Sequence, residues 1–92
     1  MVEFTWDTPS DIDKDIAKRL KNIRKRRKIT QEQLAKRCNV SYASLKKFEQ
    51  TGEISLISFT KIVMELGLAG ELKALFTKPV YLSIEEVIND KR

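Results

Sequence analysis

The chain has 92 residues, of which 41% are apolar and 34% are charged. This length supports a single domain with one core, and the composition is that of an ordinary globular chain. It contains no His and only one Cys, which excludes His-based catalysis, His metal ligation and a thiolate metal site. No phosphate-binding Gly loop or dinucleotide motif is present, so we expect neither an enzyme nor a cofactor.

Three further features bear on where the protein works. No apolar run approaches the roughly 18 residues that a membrane span needs. The acidic, polar N-terminus lacks the basic and apolar regions of a signal peptide. The lone Cys38 cannot form an internal disulfide, which fits a reducing cytoplasm. Cys38 could in principle be a nucleophile or a redox sensor, but its position on an apolar face favours a small core residue.

The net charge of +5 is distributed unevenly along the chain. Residues 1–13 carry a net charge of −4 and residues 48–92 one of −2, whereas residues 14–47 hold thirteen Lys and Arg against two acidic side chains. Such a basic block is typical of a surface that binds phosphate groups. A solvated helix face would explain the charge, but not why one sign gathers there. We therefore expect double-stranded DNA as a partner. A basic amphipathic helix could also lie on an anionic membrane, but the apolar stripe of the first predicted helix is narrow and is needed for the core, so we expect no membrane.

The chain opens with a predicted N-terminal arm, residues 1–8. Within it Phe4 and Trp6 alternate with polar residues, as in an extended piece lying on another surface. The first helix is predicted over residues 9–27, with Thr8 as its N-cap or Ser10 as the alternative. Apolar residues at three- and four-residue spacing form its buried stripe; they are Ile12, Ile16, Ala17, Leu20 and Ile23.

A helix-turn-helix is predicted next. The second helix spans residues 31–38 after the N-cap Thr30, and the third spans residues 42–51 after the N-cap Ser41. Asn39 lies where the chain must turn, because Asn tolerates the left-handed conformation nearly as well as Gly. Two short helices joined in this way are the layout in which the second helix enters the major groove of DNA.

Two more helices are predicted over residues 56–66 and 70–77, followed by a C-terminal tail of residues 78–92 with a final helical turn or two. The fourth helix has one apolar stripe, formed by Leu56, Phe59, Ile62, Val63 and Leu66. Ile57 and Met64 fall off it. Together with the apolar side chains of the tail, these two residues give more apolar surface than a small monomer normally exposes. We expect a homodimer interface built from the fourth or fifth helix and the tail. The alternative packs the tail on its own domain.

The exposed side of the third helix carries the predicted DNA contacts. Lys47 can donate to guanine, Ala43 can touch a thymine methyl group, and Tyr42 can offer its hydroxyl to a phosphate or a base edge. Gln31, at the start of the second helix, is placed for a phosphate contact reinforced by the helix dipole. The other predicted phosphate contacts are Ser41, Ser44, Lys46, Arg26, Arg27 and Lys28. The alternative is that all of these are merely exposed surface residues.

This segment resembles the XRE family of phage Cro and lambda-type repressors, with the pattern Gln31-x-x-Leu34-Ala35-x-x-x-Asn39-Val40-Ser41-x-x-x-Leu45-x-x-x-Glu49 and then Gly52. The resemblance covers about residues 12–76 and departs at Asn39, where the family usually has Gly. It implies an all-α, lambda-repressor-like five-helix domain that regulates transcription, usually as a dimer on a palindromic operator. The family's phosphate clamp falls on Gln31, and its base-reading positions fall on Tyr42, Ala43 and Lys47.

The family's frequent Arg–Glu pair between the first and third helices falls on Arg24 and Glu49. The pair also has a physical reason. Glu49 lies one turn beyond Leu45 on the inward side of the third helix, where an unpaired carboxylate is costly. We therefore predict an Arg24–Glu49 ion pair that fixes the angle between the two helices.

A narrower resemblance concerns the arm, the segment of residues 51–56 and the Ser-Ile-Glu-Glu of residues 83–86. These are similar to HipB-like regulators, which are encoded beside HipA-like kinase toxins and act as antitoxins or repressors of their own operon. Two functions follow. The first is a sequence-specific repressor that binds DNA as a homodimer. The alternative is an interaction module that neutralises a partner toxin, with DNA binding secondary.

Overall fold

The computed structural model describes residues 7–79, and this part of the chain folds into helices without any strand. The helices are α1 (Pro9–Arg26), α2 (Gln31–Cys38), α3 (Tyr42–Thr51), α4 (Leu56–Glu65) and α5 (Ala69–Lys73). The prediction of an all-α, lambda-repressor-like five-helix domain is confirmed. Most of the predicted arm and the tail from residue 80 onward lie outside the described residues. Among residues 7–79, no helix has the length and apolar character needed to cross a membrane.

Capping interactions determine where the helices begin. The Thr8 hydroxyl accepts a hydrogen bond from the backbone N–H of Asp11, and the Asp11 carboxylate accepts one from the N–H of Thr8, both at 3.1 Å. Thr30 and Gln33 form the same reciprocal pair at the start of α2. The hydrogen bond from the Thr8 backbone lowers the pKa of Asp11. The carboxylate therefore stays charged at the positive end of the α1 dipole.

The first four helices enclose one core. Its buried apolar residues are Ala17, Leu20, Leu34, Ala35, Cys38, Val40, Leu45, Phe48, Ile62, Val63 and Leu66. The turn between α2 and α3 is the predicted one, because Asn39 adopts the left-handed conformation with a φ of 57° and a ψ of 47°. The N–H of Val40 then donates to the carbonyl of Ala35 at 3.0 Å. This hydrogen bond brings Val40 back into the core.

Three helices end earlier than the sequence predicted. The first ends at Arg26 and the fourth at Glu65, each one residue short, because the next residue acts as the C-cap. The fifth is α5, which ends at Lys73 instead of residue 77. Phe76 has a φ of 61°, which no right-handed helix can contain. A turn therefore replaces the last predicted turn of helix.

Two residues of the predicted apolar stripes are not buried. Ile12 is 44% exposed and Leu56 is 76% exposed. Both lie in the first turn of their helices, before α1 and α4 come against the rest of the core. Ile16, four residues after Ile12, and Phe59, three residues after Leu56, are half-buried. The apolar pattern was correct for the helix type but overestimated how early each helix enters the core.

A close approach between α1 and the end of α3 depends on Gly52. This glycine has a φ of 81°, and a Cβ on it would lie 2.7 Å from the carbonyl carbon of Asp13. Real Cβ atoms essentially never make non-bonded contacts that short, so the backbone of α1 occupies the space that any side chain would need. Gly52 therefore sets how closely α1 and α3 pack.

Candidate nucleic-acid interface

The outer face of α3 is the surface opposite its core contacts. Leu45 and Phe48 are almost fully buried, which leaves the predicted base-contact residues on the solvent side. All four prominent side chains of this face are exposed: Tyr42, Ala43, Lys46 and Lys47. The ammonium nitrogen of Lys46 lies 6.0 Å from the centre of the Tyr42 ring, at the limit of a cation–π contact. The four residues thus form one continuous exposed surface, which we call the α3 outer face.

The N-terminal end of this helix is held by two serines. Ser41 accepts a hydrogen bond from the backbone N–H of Ser44 at 3.0 Å, and its hydroxyl donates to the hydroxyl of Ser44 at 2.7 Å. Both side chains are exposed. The first helical N–H groups of α3 point out of the helix end without intrahelical acceptors. This end can therefore donate to an anion.

A buried network joins α1, α2 and α3 behind the α3 outer face. Arg24 Nε donates to Glu49 Oε2 at 2.8 Å, and Arg24 Nη2 donates to Glu49 Oε1 at 2.9 Å. The two side chains are only 8% and 3% exposed. The pair predicted from the sequence is therefore present, with the two-pronged geometry that Arg forms best. A third donor, Nη1, binds the carbonyl of Ile29 at 2.8 Å, which ties in the loop between α1 and α2.

Gln31 takes part in the same network, which the sequence analysis missed. Its side-chain nitrogen donates to Glu49 Oε1 at 2.8 Å. An amide nitrogen carries two hydrogens, so one remains for another acceptor. Gln31 and Glu49 are 18 residues apart, and nothing in the local pattern of either helix indicates the contact. The contact fixes which way the Gln31 amide points.

The three predicted phosphate-binding cations at the end of α1 occupy different places. Arg26 is the last residue of α1, Arg27 is its C-cap, and Lys28 follows in the left-handed conformation with a φ of 57°. All three are exposed. A Cβ on Gly67 would lie only 3.8 Å from Arg27 Nη1. The Arg27 guanidinium therefore lies beside the turn between α4 and α5.

A concave pocket with a volume of about 590 Å³ lies beside Lys47, between α3 and the start of α4. Its lining includes two serines at the start of α4, Ser55 and Ser58, which the sequence analysis did not select. Their three-residue spacing could have indicated them from the sequence, because it is that of a helix cap. The Ser55 hydroxyl caps α4 by accepting a hydrogen bond from the backbone N–H of Ser58 at 3.2 Å. Asp13 and Glu53 also line this pocket. The charge around Lys47 is therefore mixed.

The helix-turn-helix family model HTH_3 matches residues 20–70, which is more than half of the chain. The chain belongs to the XRE family of helix-turn-helix regulators. No curated protein matches it at a significant level. The matched range of this XRE domain includes α2, α3 and α4 entire and all the candidate DNA-contact residues. The protein is therefore a DNA-binding regulator of the XRE type.

The described part of this XRE domain gives little support for a metal site or a reactive cysteine. Among the described residues, no group of three or more acidic, Cys or His side chains converges on a metal position. Cys38 is buried, and burial raises the pKa of its thiol. Because the thiolate is the reactive form, this environment favours the core interpretation of Cys38 over the nucleophile or redox sensor.

Proposed function

We propose that this XRE regulator is a sequence-specific transcriptional repressor that works in the cytoplasm as a homodimer on a palindromic operator. Residues 9–77 would form the DNA-binding domain, with residues 1–8 as an arm and residues 78–92 as a tail. The observation that carries the proposal is the α3 outer face: one continuous exposed surface with two cations, on a helix whose inner side is held by core packing and by the ion pair of Glu49. A rigid helix with a free polar face is suited to insertion into a major groove.

We assign base contacts to the α3 outer face. Lys47 would donate to guanine O6 or N7, and the Ala43 methyl group would contact a thymine methyl group. Tyr42 would offer its hydroxyl to a base edge or a phosphate. The Lys46 ammonium group, close to the Tyr42 ring, would bind a phosphate beside it.

We assign phosphate contacts to the ends of α2 and α3 and to the α1–α2 turn. Gln31 supports this assignment because Glu49 accepts one amide hydrogen, which leaves the other for a phosphate next to the positive end of α2. The remaining contacts are Ser41, Ser44, Lys46, Arg26, Arg27 and Lys28. Arg27 would have to turn away from Gly67 to take part.

The proposed dimer uses the apolar surface of α4 or α5 together with the tail. Ile57 is 65% exposed, and Met64 lines a shallow apolar groove of about 290 Å³ with Ala69 and Leu72. Two copies joined here would present two α3 helices to successive major grooves about 34 Å apart. Sedimentation at high concentration tests the dimer, and a monomer at all concentrations would contradict it.

Selection from a random DNA pool tests the proposed function. A dimeric repressor should enrich an inverted repeat whose half-sites are centred about 10 base pairs apart. A reporter placed behind the enriched sequence should then fall in expression when the protein is made. A pool without any enriched sequence would contradict sequence-specific binding, and a rise in expression would contradict the repressor role.

Two single substitutions should separate base contacts from phosphate contacts. Lys47→Ala should cost about 1–3 kcal/mol of binding free energy and relax the preference at one base pair, because it removes a base contact. Arg26→Ala should weaken all sequences alike and reduce the slope of log K against log salt by about 1, because it removes a phosphate contact. Binding titrations of the operator and a scrambled duplex over a salt series measure both. Identical effects of the two variants would contradict the assignment.

The resemblance to HipB-like regulators supports a second proposal, that the protein also neutralises a HipA-like kinase toxin. Its contacts would be the arm and the tail. A variant lacking residues 1–6 tests this and keeps Thr8, the N-cap of α1. Loss of toxin binding with DNA binding intact would support the antitoxin role. Unchanged binding of both partners would contradict a role of the arm in that complex.

A further inference from the structure

An apolar groove runs between α1 and α4 on the side next to the close approach at Gly52. Its volume is about 210 Å³, and its lining residues are Asp13, Ile16, Phe48, Gly52, Ile54, Leu56 and Phe59. Leu56 lines this groove, and about three quarters of its surface is exposed to solvent. Such exposure is unfavourable for a Leu that has an apolar groove beside it. An apolar occupant of the groove would also cover Leu56.

We propose that the N-terminal segment of the same chain, residues 1–6, docks in this groove through the indole of Trp6. The segment joins the described part of the chain at Asp7, immediately before α1, and α1 itself supplies one wall of the groove through Asp13 and Ile16. Asp13 lies four residues beyond the start of α1, or about 6 Å along the helix axis. Trp6 is the neighbour of Asp7 in the chain, so their Cα atoms are one step of about 3.8 Å apart. A turn of the chain at Asp7 would therefore bring Trp6 back along the first turns of α1.

The chemistry of the segment matches that of the groove. Val2, Phe4 and Trp6 alternate with polar residues, so an extended segment presents all three on one side. A buried indole N–H needs a hydrogen-bond acceptor, and the Asp13 carboxylate belongs to the groove lining. Because the segment is covalently attached, its effective concentration at the groove is far above that of a separate molecule. These features favour the chain's own segment over a second copy or a free peptide.

Docking there would brace α1 against α4 without covering the α3 outer face. None of Tyr42, Ala43 and Lys46 lines the groove. The inference is therefore independent of the proposed DNA contacts, and DNA binding should persist when the segment is removed.

The fluorescence of Trp6 tests the inference directly, because the chain contains one Trp. In the folded full-length protein, the emission should be shifted to shorter wavelength and protected from iodide relative to the urea-unfolded chain. Leu56→Glu should abolish both effects, since it places a charge in the groove. Glu suits the first turn of α4, so the helix should remain. Leu75→Glu is the matched control: Leu75 is also an exposed Leu but does not line the groove, and its Trp6 emission should stay as in the wild type. Ile57→Glu, at the proposed dimer surface, probes contacts between copies.

Four results would overturn the inference. The first is iodide quenching of wild-type Trp6 equal to that of the unfolded chain, which needs no variant and so does not depend on how Leu56→Glu folds. The second is protection that survives in a folded Leu56→Glu protein. The third is protection that is lost on dilution or in Ile57→Glu, which would assign Trp6 to an interface between copies. Removal of residues 1–6 should also lower the thermal midpoint by at least about 4 °C, and an unchanged midpoint would contradict docking.

Discussion

A Glu49→Ala variant should lose about 3–5 kcal/mol of unfolding free energy, because it leaves the buried Arg24 guanidinium without its carboxylate. The side chains of both residues are less than a tenth exposed, so bulk water would solvate the remaining guanidinium poorly. Gln31 would lose its acceptor in the same change. Domains of this size are typically stable by about 5–15 kcal/mol. Urea titration followed by circular dichroism should therefore show a large shift of the midpoint.

Two further variants show whether the loss arises from the unpaired charge. Glu65→Ala removes an exposed carboxylate from the end of α4 and should change stability by no more than about 0.5 kcal/mol. The double variant Arg24→Leu/Glu49→Leu should be more stable than Glu49→Ala, since it removes both charges and refills the site with apolar groups. If Glu49→Ala were as stable as Glu65→Ala, the pair would have no role in holding α1 against α3.

Gly52→Ala should cost about 2–5 kcal/mol of unfolding free energy. Forcing an Ala into the left-handed conformation accounts for about 1–2 kcal/mol, and inserting a methyl group into a filled space accounts for about 1–3 kcal/mol. The second contribution is large here because the atom in the way is the backbone of Asp13, at 2.7 Å. A backbone cannot move aside as a flexible side chain can. Thermal and urea unfolding of the variant measure the loss.

Gly67→Ala is the matched control. Gly67 also has a positive φ, of 76°, but the nearest atom to its would-be Cβ is the end of the Arg27 side chain at 3.8 Å, which is ordinary van der Waals contact. Only the left-handed penalty of about 1–2 kcal/mol should apply there. The difference between the two variants isolates the collision with α1. Equal losses would mean that α1 and α3 are not held as closely as the structure indicates.

The sequence predicted the fold well where the signals were local. The bounds of α2 and α3 followed from the N-caps Thr30 and Ser41 and from the turn at Asn39. The end of α5 could not be predicted in this way, because no local pattern indicates the positive φ of Phe76. The exposure of Leu56 was also missed, since burial depends on which residues lie opposite it in the folded chain.

The candidate site was predictable only in part, for a related reason. The outward direction of Tyr42 and Lys47 follows from helical periodicity once the core side of α3 is known. The Arg24–Glu49 pair needed the family resemblance to name the partner. The contact between Gln31 and Glu49 depends on the angle between α2 and α3, which is a tertiary property and leaves no mark in either helix alone.

The most direct test of the central claim, that the α3 outer face reads DNA, is operator binding by a triple variant, Tyr42→Ala/Lys46→Ala/Lys47→Ala. Its charge-matched control is Lys18→Ala/Lys78→Ala, which removes two exposed cations outside α3. At equal salt, and with the helical circular dichroism unchanged, the triple variant should bind the selected operator at least about 1,000-fold more weakly, at the level of non-specific DNA. The control should stay close to the wild type. A folded triple variant that binds the operator as tightly as the wild type would contradict the account.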